Sequence, residues 1–208
     1  MIPPTLKVLY LHATKVVIKR EMRKTILIAG VAVCIICAAF ISYGLFTQRD
    51  AIPAQNLTLS DYPKLFANET VIVIGDNASQ IEKESAEAIA ANLENLTGNK
   101  PEIVSSKKIE SFKYTYNLVI LGTPKSNEVI REVYNMTDAI RVTEEDPGKS
   151  AGILEILRNP WNENKVLLLA VGSDNGGIEY LTERLVHPLS LKGLKYKNII
   201  VDRKYPLP

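Results

Sequence analysis

The chain has 208 residues, 46% of them hydrophobic, and a formal net charge of +2. The charge is unevenly distributed: residues 1–50 hold seven basic and two acidic groups, which leaves 18 basic and 21 acidic groups in residues 51–208. No basic stripe or basic domain is left once the N-terminal cluster is set aside, so the sequence argues against binding of nucleic acid. The apolar content and the ordinary usage of Gly and Pro also exclude an intrinsically disordered chain.

A stretch of 22 uncharged residues, 25–46 (TILIAGVAVCIICAAFISYGLF), predicts a transmembrane helix. Such a helix is about 33 Å long, enough to cross a hydrocarbon core of about 30 Å. Five basic residues lie just before it, within 15–24, whereas only Arg49 and Asp50 follow it closely. By the positive-inside rule, we expect a single-pass protein of the cell membrane that contacts lipid through residues 25–46. Residues 1–24 are then a short basic cytoplasmic segment, and the C-terminal part lies outside.

A cleaved signal peptide is the competing interpretation of this stretch. Its apolar core would be shorter, and residues 52–54 (Ile-Pro-Ala) make a poor cleavage site. Translation from Met22 would produce the same anchored N-terminus without residues 1–21. The only cysteines of the chain, Cys34 and Cys37, lie inside the predicted span, where we interpret them as packed apolar residues rather than a redox or metal pair. The exterior part must therefore be stabilised by a hydrophobic core rather than by disulfides.

The exterior part is predicted as a polar stalk (47–70) followed by one α/β domain (71–208). Strands are predicted from apolar runs at 71–74, 102–104, 118–121, 153–157, 166–171 and 198–201. Helices are predicted after the capping box Ser79-x-x-Glu82, after Thr123-Pro124 as N-cap and first helical position, and after the turn that follows Gly172. The recurring order of strand, glycine, polar turn and helix indicates a mostly parallel sheet. The Asn-Pro connection at 158–164 adds one antiparallel hairpin.

Polar residues follow the predicted strands at the edge where ligands bind in open α/β sheets. Asp76 and Asn77 follow the first strand, and Asp174 and Asn175 follow the fifth, so these four form the candidate ligand edge. The two aspartates could meet as an acid/base pair or could serve as helix N-caps, the more frequent role. None of the glycine turns has a dinucleotide or P-loop spacing, so no cofactor is predicted.

Catalytic residue types are sparse in the exterior part. It has no cysteine and one histidine, His187, which follows a predicted helix end next to a proline. This composition argues against Cys–His chemistry and multi-histidine metal sites. The acidic residues 144–146 are interpreted as a solvated loop, with weak calcium binding as the alternative. We therefore predict no catalytic residue and no metal, and a protein that is not an enzyme.

Sequons for N-glycosylation are more frequent than chance predicts. Residues 51–208 contain 14 Asn and 18 Ser or Thr among 158 residues, so random placement would produce about 1.6 Asn-x-Ser/Thr triplets. Five occur, at Asn56, Asn68, Asn77, Asn95 and Asn135. Asn56, Asn68 and Asn135 look the most accessible, whereas Asn77 lies at the start and Asn95 in the last turn of a predicted helix, where local structure can block modification. The excess predicts a glycoprotein.

Three segments resemble the α/β domain of archaeal S-layer proteins. They are NLVILGTPKSN at 117–127, AGILEILRNPW at 151–161 and KVLLLAVGSD at 165–174, and the likeness extends in order over about 71–186. Thr123 stands where that family has a second glycine, and an anchor replaces the family's cleaved signal. The resemblance implies an archaeal, membrane-anchored surface protein with an S-layer-like module, which contacts envelope or S-layer proteins.

The hairpin also resembles, more distantly, elements of exterior subunits in bacterial cellulose export and accessory domains of some glycoside hydrolases. This second resemblance implies a glycan-binding accessory module as the alternative function. An exposed aromatic patch would favour it, because sugar faces stack on rings, and Trp161 with Tyr114 and Tyr116 are the candidates. An extracellular hydrolase is the least favoured hypothesis.

Overall fold

The apolar runs of the sequence become strands of one sheet in the computed structural model, which describes residues 57–202. The strands are β1 (Thr70–Ile74), β2 (Glu102–Ser105), β3 (Asn117–Gly122), β4 (Gly152–Asn159), β5 (Asn162–Gly172) and β6 (Asn198–Val201). The helices are α1 (Gln80–Thr97), α2 (Glu128–Met136) and α3 (Asn175–Val186). Short 3-10 turns lie at Leu59–Asp61, Lys64–Phe66, Ser106–Ser111 and Pro188–Leu191.

The sheet has the order β2-β1-β3-β5-β4-β6. All neighbours are parallel except β4, which runs antiparallel to both β5 and β6. This confirms the predicted α/β domain with a mostly parallel sheet and an antiparallel β4–β5 hairpin. Strands β1, β3 and β5 end together at one side of the sheet, which we call the carboxyl edge; the opposite side is the amino edge.

Helices cover both faces of the sheet because each has one apolar side. Helices α1 and α3 pack on one face through buried residues that include Ile89, Leu93 and Leu181. Helix α2 packs on the other face through Val129, Ile130 and Val133. Strands β3 and β5 lie between these two layers, which explains why they are apolar on both sides.

The predicted capping box of α1 is confirmed, but the predicted start of α2 is wrong. Ser79 caps α1 together with Glu82, and Gly98 ends the helix with φ of 80°. The N-cap of α2 is Asn127, not Thr123, whose carbonyl oxygen instead accepts the backbone N–H of Asn127 in a tight turn. Tertiary contacts of this turn, described below, override the local signal of Thr-Pro.

The described part of the predicted stalk folds onto the domain. Leu59, Tyr62 and Phe66 are buried in the core under α1 and α3, so residues 57–70 belong to the α/β domain rather than to a polar stalk over 47–70. Burial of each such side chain contributes roughly 1.5–3 kcal/mol to the free energy of folding. This gain does not depend on whether the neighbours in the sequence are polar. The apolar residues of this segment follow neither a helical nor a strand periodicity, so the sequence pattern did not identify them as buried.

Within residues 57–202, no helix has both the length and the apolar character that a membrane crossing requires. The predicted span 25–46 and the cytoplasmic segment 1–24 lie outside the described residues, as does Asn56.

Candidate functional site

The chain itself fills the crevice at the carboxyl edge between β1 and β3. The chain leaves β1 toward β2 and leaves β3 toward β4, on opposite faces, which makes this crevice the usual place for a ligand in such sheets. Here the turn at 123–127 occupies it. A Cβ on Gly75 would lie 1.8 Å from the carbonyl oxygen of Ser126, so the turn can approach β1 this closely only because residue 75 is glycine.

Asn127 ties this turn to both strands. Its Nδ2 donates to the carbonyl oxygens of Val73 (3.1 Å) and Leu121 (3.0 Å), and its Oδ1 accepts from the N–H of Val129 (3.1 Å). One fully buried amide therefore satisfies the ends of β1 and β3 and caps α2 at the same time. Its role was not predicted, although an Asn directly before the apolar periodicity of α2 is a helix-start signal.

Glu82 reaches the same turn from the first turn of α1. Its Oε2 accepts the N–H of Ser79 (2.6 Å), as the capping box requires. Its Oε1 accepts the N–H of Thr123 (3.1 Å) and the hydroxyl of Ser126. This carboxylate is 1% exposed, and its hydrogen bonds to the N–H groups of Ser79 and Thr123 fix the backbone at both residues. The sequence predicted the cap but not the bridge to the β3–α2 turn.

Asp76 is bound by two residues at the carboxyl end of the neighbouring strand β2. Its carboxylate accepts the Ser105 hydroxyl and lies 2.6 Å from the ammonium Nζ of Lys107. The hydrogen bond from Lys107, followed by that from Ser105, lowers the pKa of Asp76 from 3.8 to about 2. The same pairing raises the pKa of Lys107. An ionised, paired carboxylate of this kind is poorly suited to act as a general acid or base near neutral pH.

Replacing Lys107 with Ala is expected to raise the pKa of Asp76 toward 3.8, because the strongest partner of its carboxylate is lost. The measurement is an NMR pH titration of the Asp76 carboxyl carbon. Since the folded pKa is depressed, the pair stabilises the fold above about pH 4, and this contribution is lost as the pH falls toward 2. Lys108→Ala, one residue further, is the control and should leave the midpoint near 2. An unchanged midpoint in Lys107→Ala would contradict this assignment.

Asp174 and Asn175 lie at the other end of the carboxyl edge, with β3 between Asp174 and Asp76. Asp174 is the N-cap of α3: its two oxygens accept the N–H groups of Gly177 (2.9 Å) and Ser150 (3.0 Å). Asn175 is exposed and accepts the hydroxyl of Ser79 (3.0 Å), which links the starts of α1 and α3. The structure thus places all four predicted residues at this edge but does not bring the two aspartates together.

An open groove of about 720 Å³ lies between the carboxyl ends of β3 and β5. Its lining includes Thr123, Lys125, Glu144, Lys149 and Asp174. Lys125 and Glu144 form an ion pair across it, and both oxygens of Asp174 are engaged with backbone. Over residues 57–202, no group of three or more His, Cys, Asp or Glu is arranged to hold a metal ion.

The aromatic candidates lie at the amino edge, away from the four polar residues. Tyr114 is half exposed, whereas Trp161 and Tyr116 pack against the core under α2. The ammonium of the buried Lys113 lies 5.5 Å from the ring centre of Tyr114 and 5.3 Å from that of Trp161. His187, the predicted surface histidine, is exposed at the end of α3.

The four sequon asparagines within the described residues are all exposed. Asn68 precedes β1, Asn77 lies in the β1–α1 turn, and Asn95 and Asn135 lie in the last turns of α1 and α2. Asn77 is thus both a sequon and a member of the candidate ligand edge. A glycan on Asn77 would cover that edge.

No protein-family model matches the chain. A segment of 62 residues, 29% of the chain, is 31% identical to the uncharacterized protein MJ0954 of the archaeon Methanocaldococcus jannaschii. That segment spans 14% of the length of the archaeal protein, so it is a local similarity.

Proposed function

We propose that this chain is a single-pass, membrane-anchored extracytoplasmic glycoprotein with an S-layer-like α/β domain and a structural or interaction role in the archaeal cell envelope. The observation that carries the proposal is the exposure of all four described sequon asparagines on one folded domain. Exposed asparagines leave room for bulky sugars on the surface. The uncharged stretch 25–46, with its basic flank, supplies the anchor and the direction.

The carboxyl edge supports an interaction role over catalysis. Glu82 and Asp174 bind backbone N–H groups, Asp76 is paired with Lys107, and the crevice between β1 and β3 is filled by the chain's own turn. Groups already bound in this way are unavailable to a substrate. The proposed partners are other envelope or S-layer proteins, and the short similarity to an archaeal protein agrees with the proposed source.

Cysteine labelling in intact archaeal cells tests the orientation. The native cysteines are replaced by Cys34→Ala and Cys37→Ala, and a single thiol is introduced by Glu145→Cys at an exposed loop position. A membrane-impermeant maleimide should label this variant in intact cells. The matched variant Lys7→Cys should be labelled only after permeabilisation. Labelling with the opposite pattern would overturn the orientation and, with it, the exterior role.

Mass spectrometry of the native protein tests the remaining claims. Purification in detergent should recover envelope subunits together with the protein. Its glycopeptides should carry sugar at Asn56, Asn68 or Asn135. Protein recovered alone and unmodified would overturn the glycoprotein and its structural role.

A glycan-binding accessory module is the second candidate. The observation that favours it is the half-exposed ring of Tyr114 beside Lys113 and Trp161, since sugar faces stack on such rings. Binding of the full chain to a glycan array that is abolished by Tyr114→Ala, but not by Tyr196→Ala at another exposed tyrosine, would support it.

A further inference from the structure

The hydroxyl groups of all five sequons donate hydrogen bonds within the fold. Thr58 donates to Asp61 Oδ2 (3.0 Å), Thr70 to the carbonyl oxygen of Phe66 (3.0 Å), Ser79 to Asn175 Oδ1 (3.0 Å), Thr97 to the carbonyl oxygen of Leu93 (2.6 Å), and Thr137 to that of Val133 (2.8 Å). None of these five side chains is fully exposed. The hydroxyl two residues after the asparagine defines a sequon, so a transferase that reads it must contact it.

In two of the folded sequons the backbone also separates the asparagine from its hydroxyl. Asn95 and Thr97 both lie in α1, and residues two apart on a helix do not face each other. Between Asn68 and Thr70, the backbone of Glu69 has a positive φ of 48°, which breaks the extended run. In an extended chain, by contrast, residues i and i+2 lie on the same side and can be contacted together.

We propose that the glycans of this protein are attached while the chain is unfolded, and that folding of the α/β domain ends the modification of its sequons. The inference rests on the proposed glycoprotein. In the reaction, Asn Nδ2 forms a bond to the anomeric carbon of a sugar carried on a lipid phosphate. The bond from that carbon to the phosphate oxygen breaks, the lipid phosphate leaves, and the amide loses one proton to a base.

The folded domain accepts the product of this reaction although it blocks the reaction itself. The four described asparagines are exposed, so their sugars project into solvent after folding. At Asn68 the Oδ1 atom accepts from Nδ2 of Asn99 (3.1 Å). Glycosylation changes Nδ2 of Asn68 and leaves this oxygen free to keep its bond. Modification followed by folding is therefore compatible with the structure, whereas the reverse order must first break the hydroxyl contacts.

A new sequon made by Arg141→Asn serves as a matched control within the folded chain. It would use Thr143, whose exposed hydroxyl accepts N–H groups of Glu145 and Asp146 and has no acceptor of its own among the described residues. Val142 between them is buried, whereas residues 141 and 143 are both exposed. This alternation is typical of an extended segment, which presents the asparagine and the hydroxyl on one side.

The experiment uses the full chain with Arg141→Asn, produced without glycans and purified folded in detergent. It is incubated with archaeal membranes that supply the transferase and a lipid-phosphate-linked oligosaccharide, and glycopeptides are quantified over time. We expect modification at the control sequon at least tenfold faster than at Asn68, Asn77, Asn95 and Asn135. Peptides from a tryptic digest of the same chain should be modified at these native sequons.

Two results of this incubation would overturn the inference, and each removes a different claim. Native sequons that are modified in the folded chain as fast as the control would overturn the timing alone. Native peptides that stay unmodified while the control is modified would show that these sequons are not substrates, which removes the proposed glycoprotein as well. In cells, Leu167→Ala in the buried part of β5 should raise sequon occupancy by delaying folding; unchanged occupancy would contradict the timing.

Discussion

Replacing Asn127 with Asp is expected to lower the free energy of unfolding by about 4 kcal/mol. The side chain is fully buried, and its Nδ2 is the donor to two carbonyl oxygens, those of Val73 and Leu121. An aspartate of the same shape offers an oxygen in place of this nitrogen, so it orphans both carbonyls and buries a charge. Urea unfolding of the full chain in detergent measures the change, followed by the fluorescence of Trp161, the single tryptophan.

Asn164→Asp makes the same chemical change at an exposed position of the β4–β5 hairpin and should cost less than 0.5 kcal/mol. The deficit of the Asn127 variant should shrink in acid, because burial raises the pKa of the new carboxyl and the protonated form can donate one hydrogen bond. Equal stability of the two variants would show that Asn127, which ties the turn at 123–127 to β1 and β3, does not hold the carboxyl edge together.

The elements of this fold were largely predictable because a buried helix or strand face requires apolar residues at a regular spacing in the sequence. The run at 198–201 predicts β6 with its observed bounds, and Ser79 and Gly98 mark both ends of α1. Strand β5 begins earlier, at Asn162, than its apolar run at 166–171 indicates, because its first residues are solvent-exposed and carry no apolar pattern. Local chemistry thus identifies buried segments better than exposed strand ends.

The start of α2 and the end of the predicted stalk depend on contacts between residues that are far apart in the sequence. Rules for helix starts and apolar periodicity use only neighbouring residues and cannot predict them. Thr123-Pro124 satisfies the rules for a helix start, yet Glu82, 41 residues away, binds the N–H of Thr123 and holds it in a turn. Leu59 and Phe66 are buried in a core cluster formed with α1, α3 and the sheet, whose residues are distant in the sequence.

At the candidate site, the positions of the residues were predictable from the sequence, whereas their bonding partners were not. All four predicted polar residues lie at the carboxyl edge, because the ends of parallel strands follow from the topology. Their partners do not follow: Asp76 meets Lys107 because β2 lies beside β1, and Asp174 binds the N–H of Ser150, 24 residues earlier. Whether a carboxylate at such an edge is free for chemistry depends on these partners.

Replacing Glu82 with Ala is expected to lower the free energy of unfolding by about 3 kcal/mol, measured by the same urea titration. The change removes an acceptor from the N–H groups of Ser79 and Thr123, each a charge-assisted bond, and leaves both donors in a poorly hydrated site. Glu84→Ala, two residues along α1, is the matched control: Glu84 is exposed and accepts from Nε2 of Gln80 within the same helix, so its loss should cost less than 0.5 kcal/mol. A Glu82 variant as stable as this control would mean that the carboxylate is not committed to the backbone. It would then be available to a ligand at the carboxyl edge, and the case for a purely structural edge would fail.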